Sequence, residues 1–370
     1  MPTHTAPKLS VVATARNDNH GGDLLRRMQS FVTAFLRQCE RHKLPAELIL
    51  VDWNPPQDRP PLADALTVPP SLTCTELRVV TVPPHTHHTF DHSQALPLFQ
   101  MIAKNVGIRR ARAPFVLATN VDLVFNDALM RRLAGRLRPQ RLYRVDRTDV
   151  AQDFPHDASL DAQLDWCEAN TIRINALEAT HDLRDGSTHR IYRKLDRKGR
   201  LLEALQDLSL VPVVTRKRLH LNGCGDFTLL HRDDWARLRG YPEFHMFSMH
   251  LDSVLCTAAH FAGCKQVVWP APARCYHIEH AVGSGWSVEG QAKLESRIDK
   301  AGVPRTSDQQ LDYTLKGMRM RRAPRIYNEP DWGLAHHDFA QSIVTHSLAA
   351  SPPAPTEQPA NAPAPHPRAA

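Results

Sequence analysis

The stretch Ala113-Pro-Phe-Val-Leu-Ala-Thr-Asn-Val-Asp-Leu-Val-Phe125 constrains the fold more than any other part of the chain. Phe115 to Thr119 is short, apolar and preceded by Pro114, which is the pattern of a buried strand. Asn120-Val121-Asp122 then places polar side chains at the strand's carboxyl end, and Leu123-Val124-Phe125 resumes the apolar run. In open α/β sheets, ligands bind beyond the carboxyl ends of the strands. A carboxylate there can hold a hard divalent cation, and the cation can grip phosphate oxygens. A capped strand end with a solvated Asp would give the same triplet, so its meaning depends on the rest of the chain.

The segments before it form a βαβ unit. Leu9 to Ala15 reads as a first strand, followed by the polar turn Arg16-Asn-Asp-Asn-His-Gly-Gly22. From Asp23, taken as an N-cap, apolar residues recur at helical spacing from Leu24 to Cys39, and Pro45 ends the segment. Glu47 to Trp53 is a second strand, parallel to the first at this spacing. Leu77 to Val82 is a third and leads into a Pro-led loop bearing His85, His87, His88 and His92. Such a loop supplies no fixed geometry for a metal, and a substrate-contacting role is the better expectation. Gln94 to Ala111 reads as a helix that delivers the chain to the central strand.

Beyond the centre, Asp127 to Leu137 is expected to be helical and Leu142 to Val145 a strand. Residues 147–218 read as an insertion or lid, with helices expected at 160–169 and 200–208. A glycine turn at 222–227 leads into a strand and a short helix capped by Asp233 and stopped by Gly240. Leu251 to Ala262 is a strongly apolar helix with Gly263 past its end. Gln266 to Trp269 is a strand, and Cys275-Tyr-His-Ile-Glu-His280 and Gly283-Ser-Gly-Trp286 follow. Residues 291–350 form a C-terminal extension. Ser351 to Ala370 is almost entirely Pro, Ala and polar residues, which cannot offset chain entropy by burial and should be disordered.

With 370 residues the chain can bury a sizeable core. Lys and Arg total 46 against 39 Asp and Glu, a net charge of +7 that suits a phosphate-bearing partner. No basic block with interleaved aromatics appears, which argues against nucleic acid. The pairs Arg26-Arg27, Arg109-Arg110 and Arg131-Arg132 read as solvated helix faces. Seven Cys without close pairs argue for isolated thiols in a reducing compartment. The N-terminal residues lack a signal-peptide pattern and no run is long enough to span a bilayer, so a cytoplasmic protein is expected, touching a membrane only through its substrate.

Together these pieces resemble a GT-A glycosyltransferase, family-2-like with a galactosyltransferase-type C-terminal half, over roughly residues 8–290. The most specific match is Ala103-Lys-Asn-Val-Gly-Ile108 before the central strand. The resemblance implies an α/β fold with a mostly parallel central sheet flanked by helices. It implies a nucleotide-diphospho-sugar donor held by Ala15, Arg16, Asn17, Asp18, Asp52, Lys104, Asn105 and Asn120, with Asp52 reading the base. It implies a saccharide or glycan acceptor at Gly223, Gly225 and Asp226, and a Mn or Mg ion on Asp122 with His277 or His280. The family's Asp-X-Asp is here Asn120-Val121-Asp122, with one carboxylate, and the Asn120 amide oxygen would approach the sugar or ribose. Asp252 stands where inverting members carry the general base that deprotonates the acceptor hydroxyl. The alternatives are a nucleotidyltransferase, for which Arg16 to Gly22 is a poor phosphate loop, and a binding protein without turnover.

Overall fold

The computed structural model describes residues 6–208, 210–280 and 290–345. The Gly283 to Trp286 stretch and the tail at 351–370 lie outside the described residues. In chain order the first half runs β1 (Leu9–Ala15), α1 (Leu24–Arg41), β2 (Ala46–Trp53), α2 (Leu62–Ala65), β3 (Thr75–Val82), α3 (Pro84–His87), α4 (Gln100–Arg109), β4 (Phe115–Ala118), β5 (Leu123–Phe125), α5 (Asp127–Ala134), β6 (Arg141–Val145) and β7 (Arg147–Val150). It continues with α6 (Leu160–Ala169), β8 (Thr171–Asn175), β9 (Ala179–Asp182), β10 (Thr188–Arg190), α7 (Arg197–Asp207), β11 (Thr228–His231), α8 (Arg232–Leu238) and α9 (Leu251–Phe261). The last elements are β12 (Lys265–Trp269), β13 (Cys275–Ile278), α10 (Gln291–Lys300), α11 (Asp308–Arg321) and β14 (Gln341–Val344).

The main sheet has the order β12-β6-β11-β4-β1-β2-β3-β14, and a second sheet has the order β10-β9-β8-β7-β13-β5. β1 pairs in parallel with β2 and β4, and β2 with β3, while β11 lies antiparallel to β4 and β6. This is the mixed α/β, mostly parallel arrangement that the resemblance implies. Both faces of the central strands are covered, which explains their continuous apolar runs. Val11, Ala13, Leu48 and Leu50 pack beneath α1, while Val12, Ile49 and Val51 pack on the side of α4, α8 and α9.

The Ala103–Ile108 motif has a packing reason. A Cβ on Gly107 would stand 2.5 Å from Val12 Cγ1, so only Gly lets α4 lie this close to the sheet. Two residues earlier, the Asn105 side chain bonds the backbone N–H and C=O of Tyr241, each at 2.8 Å, and clamps the turn after α8. Gly240 at φ +70 makes that turn possible, and a methyl there would fall 2.3 Å from Asn105 Oδ1.

Several local expectations need correction. Asp23 has a left-handed backbone and its side chain makes no capping bond to α1. The helix expected from Gln94 starts at Gln100, because Pro97 lacks the N–H that an earlier start would need. The helix expected to reach Leu137 ends at Ala134, with Gly135 as its C-cap. α8 is capped by His231, whose side chain accepts from Asp233 N, so Asp233 lies inside the first turn. Within residues 147–218, β7 pairs in parallel with β13 and carries residues into the second sheet beside the site. Of the Arg pairs, Arg27 is buried and holds the carbonyls of His20 and Gly22. Arg109 and Arg110 bind carbonyls of residues 330–337 and fasten the C-terminal extension. That extension also adds β14 to the edge of the main sheet. All seven cysteines are free thiols, as expected.

Candidate active site

A cavity of about 760 Å³ opens beyond the carboxyl ends of β1 and β4. Ala15, Arg16 and Asp18 line it from the turn after β1, and Asn120 and Asp122 from the segment after β4. Gly223, Gly225, Asp226 and Asp252 form another part of its wall, and His277 and His280 face it from the end of β13. Residues far apart in sequence and expected to act together thus share one cavity. Asn17, Asp52, Lys104 and Asn105 do not line it.

The densest part is the cluster Asp122, His277 and His280, whose ligand atoms lie within 4.8 Å of one another. His280 Nε2 is 3.2 Å and His277 Nε2 3.6 Å from Asp122 Oδ2. Asp122 Oδ1 is buried with no hydrogen-bond partner. An orphaned carboxylate oxygen beside two imidazole nitrogens is the arrangement a divalent cation would complete, so the residues fit a metal. Burial disfavours the Asp122 anion, yet His277 and His280 hold its carboxyl well below the usual range. Burial also opposes charge on His277, but the Asp122 carboxylate outweighs it and pushes the imidazole up to about 10. The histidines of the 85–92 loop contribute to no such cluster among the described residues. His87 is buried instead, 2.9 Å from the Trp53 indole N–H.

Asn120, which lines the cavity, is bonded to the protein at both ends of its amide. Its Oδ1 accepts from Lys104 Nζ at 2.8 Å and Gln100 Nε2 at 3.0 Å, and its Nδ2 donates to Asp226 Oδ1 at 2.5 Å. Lys104 is wholly buried and also donates to the Gly225 carbonyl at 2.8 Å. Burial lowers its ammonium to about 8, although Asp226, Asp252 and Asp122 all favour the charge. Lys104 thus supports the floor of the site from behind.

On the β1 side, Arg16 donates from Nε to the Asn54 carbonyl at 2.6 Å and lies 3.3 Å from Asp18. Asn17 is buried and bonds the Pro60 carbonyl at 2.9 Å. Asp52 is wholly buried opposite Ala15 in the strand register, and its Oδ2 accepts from Leu62 N at 2.9 Å. Burial raises its carboxyl to about 6. The structure places Asp52 behind the cavity wall.

Asp252 is the second residue of α9 and is no N-cap. That position belongs to His250, which has φ 68. Asp252 Oδ1 accepts from Ser253 N at 2.8 Å, while Oδ2 stands 3.0 Å from where a Gly225 methyl would be. Gly225 therefore gives the carboxylate its space, and Gly223, at φ +58, turns the loop that brings Gly225 there.

A layer of buried charge behind the histidines escaped the sequence reading. Arg147 lies 2.7 Å from Asp149 and 3.1 Å from Asp226, and Arg173 lies 2.9 Å from Asp149 and 2.8 Å from Glu279. Asp149 Oδ1 in turn lies 3.3 Å from His277 Nδ1. The signal was alternation: Arg147 and Asp149, like Cys275, His277 and Glu279, fall on alternate strand positions and so on one face each.

No protein-family model matches the chain, and no curated protein matches it. Among solved structures it is similar to S. aureus TarS, at 12% identity and a TM-score of 0.36, covering 74% of this chain and 37% of that one. It is also similar to the catalytic domain of Drosophila beta1,4galactosyltransferase 7, solved in complex with xylobiose. There the identity is 10% and the TM-score 0.34, over 74% of this chain and 69% of that one. Neither score reaches 0.5, so these likenesses carry no conclusion about donor, acceptor or metal. The strand order and the cavity beyond β1 and β4 agree with the α/β, mostly parallel arrangement expected from the sequence.

Proposed function

We propose that the chain is a glycosyltransferase that moves a sugar from a nucleotide-diphospho-sugar to a hydroxyl of a saccharide or glycan acceptor, with inversion and with a divalent cation. The observation that carries this reading is that one cavity brings together the turn after β1, the Asp122–His277–His280 cluster and Asp252. Asp122, His277 and His280 would hold the cation, and two imidazole nitrogens in the set favour Mn over Mg. When bound, the cation would neutralise the charge of the departing diphosphate. Arg16, at the same wall, supplies a further positive group. Asp252, with Oδ2 turned toward the Gly225 backbone, is the carboxylate that would take the acceptor proton. Lys104, Asn120 and Asp226 hold the glycine turn and the floor in register.

A thermal-shift screen of nucleoside diphosphates with and without Mn tests this. A diphosphate at one hundred times its dissociation constant should stabilise the protein by about 2.7 kcal/mol. The stabilisation should depend on Mn and vanish in Asp122→Ala. Mn-independent binding that survives Asp122→Ala would sink the metal assignment, and no binding by any nucleoside diphosphate would sink the donor class.

A further inference from the structure

The helix α7 is amphipathic in the wrong sense for a helix of a globular surface. Leu201, Leu205 and Leu208 recur at helical spacing, and Leu201 and Leu208 are each 60% exposed, while the polar Gln206 on the opposite face is buried. Nearby Leu202, Leu210 and Val214 are exposed as well, Leu210 at 67%. The flanks are basic: Arg193, Lys194, Arg197, Lys198 and Arg200 are all exposed. Arg319 of α11 fastens α7 through Asp207 Oδ1 at 2.7 Å and the Glu203 carbonyl at 3.0 Å. The neighbouring helix α11 repeats the pattern. Tyr313 and Met320, two turns apart, are 78% and 63% exposed, while Leu311, Leu315 and Arg319 face inward. Arg321, Arg322 and Arg325 follow and are exposed.

We propose that this face, the outward stripe of α7 with the adjoining α11, docks on an anionic lipid bilayer. An apolar stripe bordered by Lys and Arg is what an interfacial helix presents: leucines enter the headgroup boundary and the cations meet anionic lipid. Isolated exposed apolar residues would mean little, but leucines recurring along one helix beside exposed Lys and Arg at its start do. A second copy of the chain fits poorly, because pairing this face with itself would bring the same cations together. Nucleic acid fits poorly too, since the stripe is mostly aliphatic and offers few stacking surfaces. No helix among the described residues is long and apolar enough to cross a membrane, so contact here would be peripheral. Ile191 and Arg216, at the two ends of the segment that carries α7, both line the cavity, and so does Leu311 of α11. Docking would hold the cavity close to the bilayer. The proposal stands on the surface alone and does not depend on the reaction proposed above.

Co-sedimentation of the full chain with phosphatidylcholine vesicles, with and without phosphatidylglycerol, tests it. Binding is expected to the anionic vesicles, to weaken with added salt, and to be near background on phosphatidylcholine alone. Leu201→Gln with Leu208→Gln should abolish it while circular dichroism and melting temperature stay unchanged, since both side chains are exposed and Gln is a good helix former. Arg197→Gln with Lys198→Gln should weaken it about thirtyfold, from roughly a tenfold loss per 1.4 kcal/mol and about 1 kcal/mol per cation. Equal sedimentation with both vesicle types overturns the proposal, as does full binding by the leucine variant. If the wild type instead forms a concentration-dependent dimer in the ultracentrifuge that the leucine variant loses, with no vesicle binding, the occupant is a second copy and the bilayer is wrong.

Discussion

Replacing Asp52 by Asn removes a charge from inside the sheet and should flatten the dependence of stability on pH. The side chain is wholly buried, with one oxygen bonded to Leu62 N and the other without a hydrogen-bond partner. Burial, offset only in part by the Leu62 N–H and the Arg16 charge, raises its carboxyl from 3.8 to about 6. The native state therefore holds this proton more tightly than the unfolded chain does. Its stability contribution is intact below the unfolded value and is lost as pH rises through about 6. The rise from 3.8 to about 6 corresponds to about 3 kcal/mol in all, of which about 1.4 kcal/mol should be lost between about pH 5 and about pH 8. Urea unfolding of wild type and Asp52→Asn at a series of pH values isolates the group, because every other titration cancels in the difference. The Asn amide leaves an unpartnered N–H₂ that shifts the variant's curve vertically, so the slope of the difference is the measured quantity. Parallel curves would refute the reasoning. Nucleoside diphosphate affinity should be unchanged, since Asp52 does not line the cavity. A loss of affinity in a folded variant would return Asp52 to the base-reading role that the resemblance implies.

Asp252→Asn should leave melting intact, because an Asn oxygen can accept from Ser253 N as the carboxylate does, while transfer falls by roughly 10² to 10⁴; unchanged turnover would remove Asp252 from the mechanism. Gly240→Ala should cost at least ~2 kcal/mol in chemical unfolding, from the left-handed backbone and the collision with Asn105; a change near zero would show that the α8 turn is not clamped as described. Asn120→Asp would create a two-carboxylate segment but set an anion against Asp226, so stability should drop by about 1 to 3 kcal/mol at neutral pH and recover on acidification. Thermal melts at two pH values check the last, and a variant as stable as wild type at neutral pH would show that Lys104 alone carries both anions.

The central strands, and the parallel pairing of the first two, were legible because buried parallel strands write themselves as continuous apolar runs, as Val11 to Ala13 and Leu48 to Val51 do. Asp122 was legible at the end of an apolar strand, and His277, His280 and Asp252 through the resemblance; the structure brings all four to one cavity. Asp52, Asn105 and Lys104 were legible as unusual but not as buried. A polar side chain at a strand end or on a helix serves the fold or a ligand depending on contacts with distant segments, here Leu62, Tyr241 and Gly225. Helix ends were the weakest point: Asp23 and Asp233 have the right chemistry for caps, and backbone conformation denied it to one and gave the place to His231 in the other. The charge layer of Arg147, Asp149 and Arg173 lay in a segment with no long apolar period, where strands of four or five residues leave little pattern to read.

That layer explains the single carboxylate of the Asn120-Val121-Asp122 segment. Asp226 is met by Arg147 and by the Asn120 amide, and Asp149 by Arg147 and Arg173. The buried cations beside the cavity floor are thus already matched to carboxylates of the protein itself. Lys104 is a single charge in a dry place, and Asp226, Asp252 and Asp122 all act on it. A further anion at position 120 would have to share that charge with Asp226 at hydrogen-bonding distance, and unpaired buried charge is costly. An amide solves the problem: its oxygen takes the Lys104 proton donor and its nitrogen gives a donor to Asp226, so the segment is bonded at both ends and remains neutral. Asp122, two residues on, then faces the imidazoles of His277 and His280. Asn120 thus holds the floor, and under the function proposed above Asp122 is left for the cation.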